Sequence, residues 1–176
     1  MKRQQLEHIL RAAAGITGAD RFVVIGSQAI LGQFPDPPAE LLISMEADLY
    51  SPRDPYESDL IEGSIGEGSP FHKTFGYYAH GVGEGTAVLP AGWKGRLVAL
   101  ASESTGGATG FCLEAHDLAI SKLVAGRPKD VQFVAGLLRH GLANGDTLRR
   151  RLMETLLDGP LREVCAARLS RVLENG

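Results

Sequence analysis

Apolar positions recur at helical spacing at the start of the chain, at a period of two in its middle, and at helical spacing again through its last third. Leu6, Ile9, Leu10 and Ala13 mark one face of a helix over residues 4–14 that stops near Gly15 or Gly18. Phe22-Val23-Val24-Ile25 has the β-branched content of a buried strand. Gly26-Ser27-Gln28-Ala29-Ile30-Leu31 then reads as a tight turn into a short helix, with Ser27 as its cap. Pro35, Pro37 and Pro38 exclude a helix or central strand and predict a loop. From Leu41 to Tyr50 the chain alternates. Leu41, Ile43, Met45, Ala47 and Leu49 take one face of a strand, and Ser44, Glu46 and Asp48 take the other.

Asp54-Pro55-Tyr56-Glu57 has the residue order of a helix start, and Leu60 and Ile61 mark its inner face. The glycine-dense stretch from Gly63 to Gly92 predicts an irregular loop near the cleft and a strand at about 77–82. Trp93 anchors a turn, Arg96–Leu100 reads as a strand, and Ser102–Gly110 reads as a hairpin loop before strand 111–113. Beyond His116 the period is helical. Asp117 is placed to cap the first of these helices, and Asp130 the next, which buries Val131, Val134, Leu137 and Leu138. Two more helices follow at 146–157 and 160–174, the last with Leu161, Val164, Cys165, Leu169 and Val172 on one face.

A length of 176 residues with 44% hydrophobic content supports one core. No apolar run is long enough to cross a membrane and the amino-terminal residues have no signal-peptide pattern, which predicts a cytoplasmic protein without a membrane partner. Cys112 and Cys165 have neither metal nor disulfide spacing and read as buried thiols. Net charge is −3, but unevenly spread: residues 1–115 hold 8 Lys/Arg against 14 Asp/Glu, and residues 116–176 hold 10 against 7. An acidic half and a mildly basic half suit a metal-dependent enzyme with a polyanionic substrate.

Candidate chemistry gathers around Gly26-Ser27 and Glu46-x-Asp48. Glycine permits close backbone approach, and a serine with free first-turn amides offers a place for phosphate. Carboxylates at i and i+2 on one strand face are spaced for a shared divalent cation, which argues for Mg²⁺; the alternative is a solvated acidic face. Downstream, Lys122 lies opposite Ile120, Leu123 and Val124, placed either to reach a triphosphate across a cleft or to sit in solvent. Gly66–Ser69 is a second possible phosphate loop, although neither a P-loop nor a dinucleotide fingerprint is present. His72 and His80 are either a base or ligand or packed side chains. Glu114 is either a third acid or an exposed strand end, and Arg149-Arg150-Arg151 either a solvated turn or a nucleic-acid contact.

Two blocks, Gly26-Ser27 with Glu46-x-Asp48 and Asp117-Leu118-x-x-x-Lys122-Leu123-x-Ala125-x-Arg127-x-Lys129-Asp130, resemble the minimal nucleotidyltransferases of the polymerase-β-type superfamily. The likeness is strongest to the abortive-infection and toxin–antitoxin branch, and covers roughly residues 22–135. It departs in having Glu at the first acidic position, one methylene longer than the usual Asp, and in the Pro-rich insert at 34–39. The resemblance implies an α/β (α+β) fold, a mixed twisted sheet flanked by helices with a C-terminal helical bundle. Residues 1–115 would form the core sheet domain and 116–176 a helical region packed on it as one unit. It implies that Gly26, Ser27, Lys122 and Arg127 contact the nucleotide, that Glu46 and Asp48 bind Mg²⁺, and that Asp130 orients Lys122 or assists the acceptor, with Asp130 and Glu114 both open as the third acid. The implied activity is transfer of a nucleoside monophosphate from an NTP to a hydroxyl of RNA, such as the tRNA end, or of protein, with a cognate antitoxin as a possible partner. An antibiotic-modifying enzyme and a non-catalytic nucleotide- or protein-binding member are the alternatives.

Overall fold

A computed structural model describes residues 1–175. Five strands, β1 (Arg21–Ile25), β2 (Glu46–Tyr50), β3 (Tyr78–Gly81), β4 (Val98–Leu100) and β5 (Thr109–Cys112), form one mixed sheet in the order β3-β2-β1-β5-β4. β1 pairs antiparallel with β2 and parallel with β5; β2 pairs parallel with β3; β4 and β5 form the antiparallel hairpin. The register places Phe22, Val24, Ala47, Leu49, Ala79 and Cys112 on one face. That face is covered by α1 (Arg3–Thr17), α2 (Ile30–Gln33) and α3 (Tyr56–Ile65). The packing is close enough that a Cβ on Gly110 would press on Leu10 of α1, and one on Gly32 of α2 would press on Cys112. The opposite face carries Ile25, Glu46, Asp48, Tyr78 and His80.

The remaining helices are α4 (Pro70–Phe75), α5 (Ala115–Ala125), α6 (Pro128–Arg139), α7 (Gly145–Met153) and α8 (Gly159–Asn175). α5 packs on α6, α7 and α8 as the C-terminal bundle. It ends at Gly126 in the left-handed conformation, where Arg168 of α8 donates to the Leu123 carbonyl at 2.7 Å. Asp117, fully buried on α5, ties the bundle to the turn before the edge strand β4 through Arg96 at 2.8 Å, and to α7 within the bundle through Arg151 at 3.4 Å. Arg151 is therefore a structural cation, and Arg149 pairs with Asp146 within its own helix.

Several local expectations are corrected. The alternating segment is a strand only from Glu46: Leu41 closes a 3-10 turn and is buried against Gly136 of α6, whereas Ile43 is 80% exposed. The inner face of α3 is Ser58, Ile61 and Ile65, with Leu60 half exposed, because β3 and α1 lie on that side. Within the glycine-dense stretch α4 forms, capped by Ser69, whose hydroxyl accepts from the His72 amide at 3.1 Å. Val131 and Leu138 are only partly buried on α6, where Phe133, Val134 and Leu137 face the core, and Val164 is exposed on α8. Both cysteines are buried, and burial pushes the Cys112 thiol up to about 12.

Candidate active site

The turn after β1 is shaped by Gly26, at φ 69° and ψ −176°, a region that side-chain-bearing residues rarely adopt. A Cβ there would also overlap the carboxylate of Asp48, which β2 brings alongside by pairing Ile25 with Asp48. Ser27 does not cap. Gly26 takes the cap position and Ser27 is the first residue of a 3-10 turn, its hydroxyl unbonded by any described residue and lining a cleft of about 500 Å³. Gln28, fully buried behind it, donates to the Ser44 carbonyl at 3.1 Å and holds the segment leading into β2 against the turn.

The same cleft is lined by Glu46, Asp48, Lys122, Arg127 and Asp130. The parallel pairing with β3 sets Tyr78 beside Glu46 and His80 beside Asp48. The Tyr78 hydroxyl lies 3.0 Å from Oε2 of Glu46, and Nδ1 of His80 lies 3.1 Å from Oδ1 of Asp48. Burial first, then the charge of Glu46, raises the Asp48 pKa, against the opposing pull of His80 and Lys122. Burial and the Glu46 hydrogen bond push Tyr78 up to about 12, so it stays a neutral donor.

Magnesium fits this pair. Oε1 of Glu46 and Oδ2 of Asp48 receive no hydrogen bond from the described residues, and their mutual repulsion is the kind a hard cation relieves. Among the described residues no cluster of three or more His, Cys, Asp or Glu forms a metal cage.

Across the cleft, α5 and α6 supply the cations. Lys122 is nearly buried, with Nζ 3.3 Å from Oδ1 of Asp130 and 5.7 Å from the Phe133 ring centroid. It is not a solvated lysine. Asp130 is not the cap of α6. Arg127 occupies that position, and Asp130, at the third helical residue, accepts from the Arg127 backbone amide at 3.3 Å and from its Nε at 2.6 Å. Burial would raise the Asp130 pKa, but the Arg127 hydrogen bonds and the Lys122 charge together hold it below the usual aspartate range. Asp130 therefore sets the positions of two cations in the cleft.

Glu114 stands apart. It is the cap of α5 in place of Asp117, accepting from the amides of His116 and Asp117 and from the His116 ring at 2.6 Å, and lines neither this cleft nor the smaller cavity beside it. Gly66–Ser69 is likewise absent from both linings, and His72 packs on Tyr78 with ring centroids 4.5 Å apart. Tyr78 and Phe133 were not singled out by the sequence. Tyr78 and His80 share the i, i+2 spacing of Glu46 and Asp48, a signal that becomes informative only once β3 is known to pair in parallel with β2.

Neither the curated proteins nor the solved structures contain a match to this chain. A family model does match, over residues 4–157, and its description is nucleotidyltransferase of unknown function (DUF6036). The matched span runs from α1 to just past α7 and contains every residue of the cleft described above. By that match, the chain belongs to this nucleotidyltransferase family.

Proposed function

We propose that the cleft performs Mg²⁺-dependent transfer of a nucleoside monophosphate from an NTP to an acceptor hydroxyl. One observation carries the reading: a paired carboxylate edge, Glu46 and Asp48, faces an Asp130-anchored cation pair, Lys122 and Arg127, across a single cavity of about 500 Å³. That volume lies within the range of about 300–1,000 Å³ common for small-ligand sites. Lys122 and Arg127 supply positive charge for the triphosphate, Ser27 offers its free hydroxyl to a phosphate oxygen, and Lys129 adds a further cation, while Arg139 in the same wall is paired with Glu40. Glu46 and Asp48 would hold the metal, whose chemistry is to neutralise the charge developing on the phosphoryl oxygens and to favour the attacking oxygen. The acceptor oxygen forms a bond to the α-phosphorus while the bond to the bridging oxygen breaks. Pyrophosphate leaves with the electron pair and the hydroxyl proton passes to solvent.

Membership of the toxin–antitoxin branch, with RNA or protein as acceptor and an antitoxin partner, belongs to this proposal and rests on the two sequence blocks. A non-catalytic, nucleotide-binding member of the same fold is the second reading. It is favoured by the state of the two further acids, since Asp130 is committed to Lys122 and Arg127, and Glu114 to the α5 cap. Exchange of labelled pyrophosphate into each NTP with Mg²⁺ and acceptor present separates the two. Exchange supports transfer, and its absence in a protein that still binds NTP supports the second reading.

A further inference from the structure

We propose that His80 is a positioning residue for the metal: it holds one oxygen of Asp48 so that the other faces the Gly26 turn. With Tyr78 it makes β3 a strand that orients both carboxylates. The inference rests on the metal-binding role given to Glu46 and Asp48 above, and concerns how this chain holds those two side chains.

The terminal torsion of an aspartate is broad, so its carboxylate keeps one orientation only where a partner fixes it. Asp48 has one such partner among the described residues. Nδ1 of His80 lies 3.1 Å from Oδ1, while Lys122 acts on the carboxylate through charge alone. Because β2 runs between β3 and β1, the two oxygens are divided between opposite sides. Oδ1 is taken by His80 on the β3 side, and Oδ2 fills the space that a side chain on Gly26 would need, on the β1 side. The oxygen left unheld is therefore the one beside the turn that carries Ser27 into the cleft. An ionised carboxylate only accepts, so Nδ1 of His80 carries the hydrogen.

The same register gives Glu46 its donor two residues earlier, where the Tyr78 hydroxyl takes Oε2 at 3.0 Å, so β3 occupies one oxygen of each acid and leaves one. As the edge strand, β3 needs a support of its own, and α3 and α4 provide it. The Gly81 amide donates to Oε2 of Glu62 at 2.9 Å and the Ser58 hydroxyl to the Val82 carbonyl at 2.7 Å, both acceptor and donor coming from α3. Gly81 can have no side chain, because the Ser58 carbonyl stands where its Cβ would be. From α4, His72 packs on Tyr78, its own ring fixed by the Gly68 amide at 3.0 Å from Nδ1. The His80 side chain is half exposed, and as a surface pair its contact with Asp48 adds little to stability. Its effect falls instead on metal affinity.

His80→Phe keeps a ring and removes the donor, and His80→Asn restores an N–H at similar reach. Mn²⁺ affinity by titration calorimetry is expected to fall roughly 10–100-fold in His80→Phe, the range typical of partners that orient metal ligands, and to stay within about threefold of wild type in His80→Asn. Both variants should melt near wild type. Nitrogen NMR of the metal-free protein should place the hydrogen of the neutral His80 ring on Nδ1, and pulsed EPR of bound Mn²⁺ should show no coordinated imidazole nitrogen. Wild-type affinity in His80→Phe, an equal loss in both variants, a hydrogen on Nε2 alone, or a ring nitrogen bound to Mn²⁺ would each overturn the assignment. Failure of the wild-type protein to bind Mn²⁺ refutes the metal reading and this inference with it. Mn²⁺ binding that depends on His80, in a protein that transfers no nucleotide, leaves the inference standing and refutes the transfer reading alone.

Discussion

The Tyr78 hydroxyl donates to Oε2 of Glu46 across 3.0 Å, from the neighbouring strand in parallel register. This contact bears on the extra methylene that Glu46 has over aspartate. One oxygen of the longer arm is held by the phenol and the other, on the proposed role, would meet the cation, so the strand pairing limits the freedom that the additional torsion would give.

Removing that restraint should weaken metal binding without unfolding the sheet. Tyr78→Phe is expected to lower Mn²⁺ affinity by roughly 10-fold or more, within the range of about 10–100-fold typical of partners that orient metal ligands. Titration calorimetry measures it. In a Glu46→Asp background, whose shorter carboxylate is drawn back from the phenol, Tyr78→Phe should have little effect. An equal effect in both backgrounds would show that Tyr78 does not act through Glu46.

Gly26 should tolerate no side chain. Gly26→Ala meets both a strained backbone region, costing of order 1–3 kcal/mol, and the Asp48 carboxylate. Loss of metal binding together with a lower thermal midpoint is expected, whereas Gly15→Ala, where nothing lies near the new Cβ, should leave metal binding as it is.

Asp130 gives the stability curve an acid limb. Its pKa in the folded chain lies below the ordinary value of 3.8, because Arg127 and Lys122 outweigh its burial. The stabilisation is therefore fully present above that ordinary value and is lost as pH falls from it through the lower folded value. Asp130→Asn should be less stable than wild type at neutral pH by about 3–5 kcal/mol, since Lys122 keeps its charge in a buried place. The difference should shrink on acidification below pH 3.8, as measured by denaturant titration across pH. A gap that widens instead would contradict the pairing.

Asp117 belongs to the frame and not to the chemistry. Asp117→Ala leaves Arg96 and Arg151 without their buried counter-charge and should cost about 3–5 kcal/mol of stability. Since Asp117 lines neither cavity, nucleotide affinity of the folded fraction should match wild type, as equilibrium dialysis below the melting range would show.

The strand β1, the helices of the last third, and the Glu46 and Asp48 pair on one strand face were legible because each is encoded in local period, whereas β5 begins at Thr109, two residues inside the segment that reads as a hairpin loop. What escaped is what depends on partners distant in sequence. Leu41 fits the alternation of a strand, yet contact with Gly136 of α6 draws it into the core and releases Ile43 to solvent. The cap of α5 is Glu114, not Asp117, because Asp117 is needed by Arg96 and Arg151, neither of them on its own helix. Asp130 shares a capping box with Arg127, an unusual cap residue that propensity does not favour. The closeness of Tyr78 to Glu46 and of His80 to Asp48 follows from the β2–β3 register alone.

The most direct test is incubation of the purified protein with each α-labelled NTP, Mg²⁺ and total cellular RNA and protein, beside an Asp48→Ala control. The account predicts label in a macromolecule from α-labelled but not γ-labelled nucleotide, reduced to background by Asp48→Ala. Label that persists in Asp48→Ala, or its absence in the wild-type protein with every NTP, would contradict nucleotidyl transfer at this cleft.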